Sequence, residues 1–222
     1  MLNSQSFSLF KKDLSSELRT RYAINALAMF IIVAISVILF SIGNEKINEN
    51  LTAGLFWVVI FFTAMSGLAR AFVSEEERGT ALTLQLIAPP VIIFSGKLIF
   101  NIILVFAMNA VIALLYAALF EDFVVQNFSL FLATFVLGNI GLAVSSTIID
   151  AIIAKAGAKG TLYPVLSFPI LLPLILTCVQ LTLFSFDGTS FEKAKFELAI
   201  VVSYDVIMVT VSYMLFDFIW KE

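Results

Sequence analysis

The sequence predicts an all-α polytopic membrane protein, six transmembrane helices preceded by an amphipathic interfacial helix, and three observations carry that reading. Of the 222 residues, 61% are hydrophobic and 13% charged, which leaves too little polar surface for a soluble domain of this size. The apolar residues fall in runs of about 20 or more, the length that crosses a ~30 Å hydrocarbon core. No connecting segment exceeds about 20 residues, too few for a folded soluble unit, so residues 1–222 read as one transmembrane domain. Bulky side chains, including 23 phenylalanines, suit helices that face lipid.

Residues 4–20 come first. Phe7, Phe10, Leu14 and Leu18 recur at spacings of 3, 4 and 4, which places them on one face of a helix with Asp13, Ser16 and Glu17 turned away. The segment interleaves these with Lys11, Lys12, Arg19 and Arg21, unlike a cleaved signal peptide, and reads as mature sequence. An in-plane membrane helix is the expectation, a solvated tail the alternative. Spans follow at about 22–42, 51–73, 91–119, 128–149, 162–186 and 197–219, separated by polar breaks such as SIGNEKINEN and FDGTSFEKAKFE. The third and fifth are longer than a crossing needs, which allows tilt or a kink.

Orientation follows from the basic residues. Ten of the thirteen, among them Lys11, Lys12, Arg19, Arg21, Arg70, Arg78, Lys97, Lys155 and Lys159, fall on the side of the termini. Only Lys46, Lys193 and Lys195 fall on the other, so both termini are expected in the cytoplasm.

The second loop is the most informative stretch. Glu75, Glu76 and Glu77 open a short helix, where carboxylates favour the free N–H groups of a first turn. Arg78 and Gly79 follow, then a mostly apolar helix from Thr80 to Ile87 that Pro89 and Pro90 stop. A short charged helix returned at once to the membrane is a docking element for a soluble partner; an ordinary loop with a helical stub is the bland alternative. The fourth loop opens at Asp150, whose charge marks the membrane exit, and with Lys155, Gly157, Lys159 and Gly160 it is flexible and basic, but AGAKGT lacks the spacing and strand-to-helix context of a phosphate-binding loop. The chain therefore cannot hydrolyse ATP itself.

Within the spans, Pro164, Pro169 and Pro173 each remove an N–H from the fifth helix and are expected to kink or unwind it, as a gate or groove wall or as an ordinary membrane-helix irregularity. Asp205 lies about eight residues into the last span and is expected to be protonated, paired or turned to the bundle interior. Trp57 reads as a mark of a bundle surface. Gly138, Gly141, Ala143, Ser145 and Ser146 form a small-residue stripe suited to close helix contact.

Several function classes are excluded. The chain has no histidine, so it offers no serine–histidine–carboxylate set and lacks the commonest neutral metal ligand, and Cys178 alone can form no intrachain disulfide. No basic block suits nucleic acid. No span holds a basic residue in its interior, Lys97 being counted with the border of the second loop, so polyanionic cargo is not expected. A permease or scaffold that borrows its energy remains.

The N-terminal amphipathic segment, GLARAFVSEEERGTALTLQLIAPP and LYPVLSFPILLPLI together resemble the B subunit of the cytochrome c maturation system, the haem exporter protein B family. The likeness covers essentially the whole chain, and LSFPILLPL is its more specific motif. It implies an ABC-2 type exporter permease that pairs with a separate soluble ABC ATPase. Glu75 to Gly79 would match the ATPase-contacting loop, and Pro169 and Pro173 the proline-rich span. The other implied partners are a haem-handling membrane protein, a small single-span protein and a haem chaperone. Haem would be held by a partner and ATP by the ATPase, with no cofactor in this chain, and two copies would give twelve spans. A different ABC exporter for drugs, lipids or polysaccharide, or a non-transporting scaffold, are the competing readings.

Overall fold

The computed structural model describes residues 2–43, 47–68, 71–156 and 162–221. Lys46, Arg70, Gly157, Lys159 and Gly160 lie outside them, as does the side chain of Pro164. Among the described residues every regular element is helical: α1 Leu2–Thr20, α2 Tyr22–Ile42, α3 Glu49–Leu68, α4 Val73–Glu77, α5 Ala81–Ile87, α6 Pro90–Leu119, α7 Phe128–Lys155, α8 Leu162–Phe186 and α9 Lys195–Lys221. Six of them, α2, α3, α6, α7, α8 and α9, are long and apolar enough to cross a membrane.

The first and fifth spans have the expected bounds, and two others differ for a physical reason. The second ends at Leu68 rather than 73, and the fourth runs on past 149 to Lys155. Both changes centre on Asp150, read as the start of a loop but fully buried in α7. Its Oδ2 accepts the Phe72 N–H at 2.6 Å. A carboxylate satisfied by the backbone of the neighbouring loop need not leave the bundle for water, so the helix continues around it.

The turn from α1 into α2 is made by a single residue, Arg21, at φ 51, the left-handed region that non-glycine residues rarely adopt. Glu17 secures it by accepting the Ile24 N–H in the first turn of α2 with its side chain at 3.1 Å. Its side chain thus serves the fold, where the sequence placed it on the outward face.

At the centre stands α7, packed against α3, α6, α8 and α9. Without a hydrophobic gradient between helix and lipid, close approach and hydrogen bonds hold such a bundle together. The small-residue stripe supplies the approach. A Cβ on Gly138 would collide with the Trp57 indole and stand 3.0 Å from the Cys178 sulfur. One on Gly141 would meet Asp205 Oδ1 at 2.5 Å and Leu174 Cδ2 at 2.7 Å. Trp57 is therefore not a surface marker. It is buried where α3, α7 and α8 meet, its N–H donating to Thr182 Oγ1 at 2.8 Å.

Two further hydrogen bonds between the spans come from residues the sequence reading left unremarked. Asn101 of α6 donates to Thr147 of α7 at 2.8 Å, and Asn109 of α6 donates to the side-chain oxygen of Asn139. Two aromatic clusters close the ends. Phe56, Tyr116, Phe123 and Phe131 interlock beside the α6–α7 connection, while Phe72, Phe94, Phe216 and Trp220 pack at the opposite end.

Candidate functional site

The charged loop is built outward from that second aromatic cluster. Phe72 is fully buried, with ring centroids 5.2 Å from Phe216 and 5.4 Å from Trp220. With Asp150 holding its N–H, it pins the start of α4. One helical turn then sorts the three glutamates. Glu75 turns inward and is 5% exposed, whereas Glu76, Glu77, Arg78 and Gly79 are exposed. Gly79 adopts φ +66, a left-handed turn that ends α4 and lets α5 start two residues later.

Glu75 is the hub of an ion cluster. Its Oε1 lies 2.8 Å from Lys12 Nζ of α1 and 2.7 Å from Lys97 Nζ of α6. Thr80 donates its hydroxyl to the other carboxylate oxygen. Lys97 also pairs with Asp13 Oδ2 of α1 at 3.0 Å. Burial on its own would raise the Glu75 pKa, but the Lys97 charge and the hydrogen bonds from Lys12, Lys97 and Thr80 outweigh it and lower it to about 2. Two cations and two anions share this site, so it is electrically balanced.

Three expectations are corrected here. Glu75 faces the bundle and presents nothing to a partner, because two lysines distant in sequence claim it. Asp13 is not turned away but faces Lys97, for the same reason. A span does hold a buried basic residue: Lys97, the eighth residue of α6, is 3% exposed. Its charge is matched by Asp13 and Glu75, so it offers no free cation to a polyanion.

The short helix α5 is held on one side and open on the other. Ala81 and Leu84 are buried, and Gln85 donates its amide to the Trp220 carbonyl at 2.7 Å. Leu82, Leu86 and Ile87 are 72%, 89% and 71% exposed. The segment thus shows Glu76, Glu77 and Arg78 beside three apolar side chains, on a base fixed to α1, α6, α7 and α9. Pro89 and Pro90 then open α6, with Pro90 in its first turn, where no N–H is needed.

The proline span remains one continuous helix in which Pro169 and Pro173 are interior. Both face outward, while Tyr163, Ser167, Leu171, Leu174, Cys178 and Leu181 make up the packed face. Pro164 lies in the first turn of α8. The prolines and the charged loop are not brought together.

Asp205 is 7% exposed, set against Gly141, and neither carboxylate oxygen has a hydrogen-bond partner among the described residues. Beside it, Tyr204 bridges helices, its hydroxyl 2.9 Å from Ser145 Oγ and donating to the Ile170 carbonyl at 3.1 Å. Of the sequence's options for Asp205, the described residues thus show a bundle-facing group without a paired cation.

The signals that would have found the missed residues were present but non-specific. Lys97 and Asn101 are isolated polar residues in an apolar run, which marks a need for partners without naming them. A comparison with curated proteins returns no match. The family comparison does, over residues 4–217: the chain belongs to the CcmB protein family, membrane permease subunits of the ABC haem-export system of cytochrome c maturation.

Proposed function

We propose that this chain is the permease of an inner-membrane complex in which a separate soluble ABC ATPase docks on the α4–α5 segment from the cytoplasm. Hydrolysis there drives haem delivery, or release of a haem-loaded chaperone, on the far side. Both termini then lie in the cytoplasm with the docking segment, as the distribution of basic residues favours. Two copies of the chain provide the twelve spans of an exporter core. The haem is cargo held by a haem-handling membrane partner, since a chain without histidine lacks the usual axial ligand. A small single-span protein and the chaperone complete the assembly, and ATP is bound by the ATPase alone.

The observation that carries this reading is the exposed surface of Glu76, Glu77, Arg78, Leu82, Leu86 and Ile87 on a rigidly anchored base. A partner that pushes on a loosely tethered loop moves only the loop. Here a push reaches α1, α6, α7 and α9 through named contacts.

The test is purification of the tagged chain in mild detergent, with stoichiometric partners identified by mass spectrometry. A soluble ABC ATPase and a haem-loaded membrane protein are expected. Replacing Glu76, Glu77 and Arg78 together by Ala leaves insertion intact and lowers the recovered ATPase at least several-fold. Unchanged recovery would remove this segment as the docking site.

A further inference from the structure

The four-residue ion cluster does more than bury charge, because it joins three elements that sequence keeps far apart. Lys12 and Asp13 belong to α1, Glu75 to the docking segment and Lys97 to α6. Lys12 contacts Glu75 at 2.8 Å, Lys97 contacts Glu75 at 2.7 Å, and Lys97 contacts Asp13 at 3.0 Å. Every pair of the three elements is thus linked by a short contact. The side chains of Lys97, Glu75 and Asp13 are 4%, 7% and 12% exposed, so salt in solution screens them little.

A second, independent contact reinforces the joint. The helix α1 crosses α6 at Gly96, next to Lys97, so closely that a Cβ there would stand 2.8 Å from Leu9 Cβ and 3.0 Å from the Ser6 carbonyl oxygen. Ser6 Oγ also reaches the Ile92 carbonyl at 3.4 Å. Meanwhile Phe7 and Leu18 are more than half exposed. An amphipathic helix that merely anchored in the membrane would need none of these contacts, since its apolar face alone holds it there.

We infer that α1 is a working part of the docking unit: Lys12, Asp13, Glu75 and Lys97 fix α1, α4 and the start of α6 into one body that moves as a unit when the ATPase moves. This rests on the docking reading. The four are positioning residues, since the exposed Glu76, Glu77 and Arg78 are the groups placed to meet the partner.

The variant Lys12→Gln/Asp13→Asn separates the two ideas. It removes the ionic links of α1 to both other elements, leaving its packing against α6, yet keeps Glu75 and Lys97 paired, so no buried charge is orphaned and the fold is spared the large penalty of a broken pair. In the purified complex this variant is expected to retain the ATPase as well as the native chain does, while losing most of the stimulation of ATP turnover that the native chain gives. A Lys11→Gln variant, outside the cluster, keeps both.

Rescue by a covalent joint makes the test specific. Leu9→Cys/Gly96→Cys, in a Cys178→Ser background, sets two Cβ atoms 2.8 Å apart, so α1 need retreat by only about 1 Å for them to reach disulfide separation. Oxidation should restore turnover to the Lys12→Gln/Asp13→Asn chain, reduction should remove it again, and the oxidised bond in an otherwise native cluster should leave turnover intact. Full turnover in the uncoupled variant, or turnover abolished by the bond in the native cluster, overturns the inference while the docking reading stands. Failure of the native chain to retain an ATPase overturns both.

Discussion

Removing the Lys97 charge is the sharpest test of the ion cluster. In Lys97→Met the stem is replaced by an unbranched apolar side chain of similar length, so packing changes little and the loss is electrostatic. Glu75 and Asp13 then share a buried site with one cation, Lys12, whose side chain is 49% exposed. Breaking a buried pair typically costs 3–5 kcal/mol, and because Lys12 and Thr80 still serve Glu75 the low end, about 3 kcal/mol, applies. For a chain of this size that is a fall of about 6–12 °C in Tm. The assay is built in: Cys178 is the only cysteine and fully buried, so its labelling by a fluorogenic maleimide during heating reports unfolding.

The same variant makes a statement about pH. In the native chain Glu75 is held near pKa 2, below its ordinary 4.5, so the stability it contributes is complete above 4.5 and lost only as pH falls through about 2. Without Lys97, burial dominates and the carboxyl takes up a proton more readily. The deficit of Lys97→Met should therefore shrink as pH drops from about 7 to about 5, a window in which the native Glu75 stays ionised. The variant Asp13→Asn/Glu75→Gln/Lys97→Met, with no buried charge, should recover most of the loss. A Tm for Lys97→Met within about 2 °C of native at neutral pH would refute the claim that these contacts hold the fold.

Two further outcomes test the packing, and one tests the docking surface. Gly138→Ala drives a methyl group into Trp57, which cannot retreat without stretching its bond to Thr182, so a loss of about 2–3 kcal/mol is expected in the same melting assay. Asp205→Asn should match or exceed native stability. It is isosteric and uncharged, and it breaks no ion pair among the described residues; a large loss would mean the carboxylate has a partner there. Glu76, Glu77 and Arg78 changed to Ala should melt like the native chain while retaining less ATPase, which separates docking from folding.

How much of this was legible in the sequence depended on the range of the interaction. Hydrophobic run length is local, so the six spans and the prolines bounding α6 could be read directly. The small-residue stripe could also be read as close packing, though not that Trp57 and Asp205 are what it packs against, because those contacts join residues 64 to 81 positions apart. The same limit explains the glutamates. EEE is three equal residues to a one-dimensional reading, and only the arrival of Lys12 and Lys97 decides that the first of them turns inward. Asp150 was misplaced because charge was taken to mark a membrane exit. A loop folding back to offer the Phe72 N–H removes the need for one.

Losing Glu75 from the proposed docking surface alters its chemistry as well as its membership. With all three glutamates exposed, the surface would carry a net charge of −2 against Arg78; with Glu76 and Glu77 alone it carries −1, beside Leu82, Leu86 and Ile87. Exposed charges are screened beyond about 10 Å at 0.1 M salt, and an exposed ion pair contributes about 1 kcal/mol or less. Burying a fully exposed leucine contributes about 1.5–3 kcal/mol. On the docking reading proposed above, apolar contact therefore supplies the larger share of the energy, and the charges set register. Leu86→Ala should lower ATPase retention about tenfold or more, whereas raising salt from about 0.1 M to about 0.5 M should lower it by less than about threefold. Retention that collapses with salt and ignores Leu86→Ala would mean that the partner reads the charges first and that the exposed face of α5 serves the membrane instead.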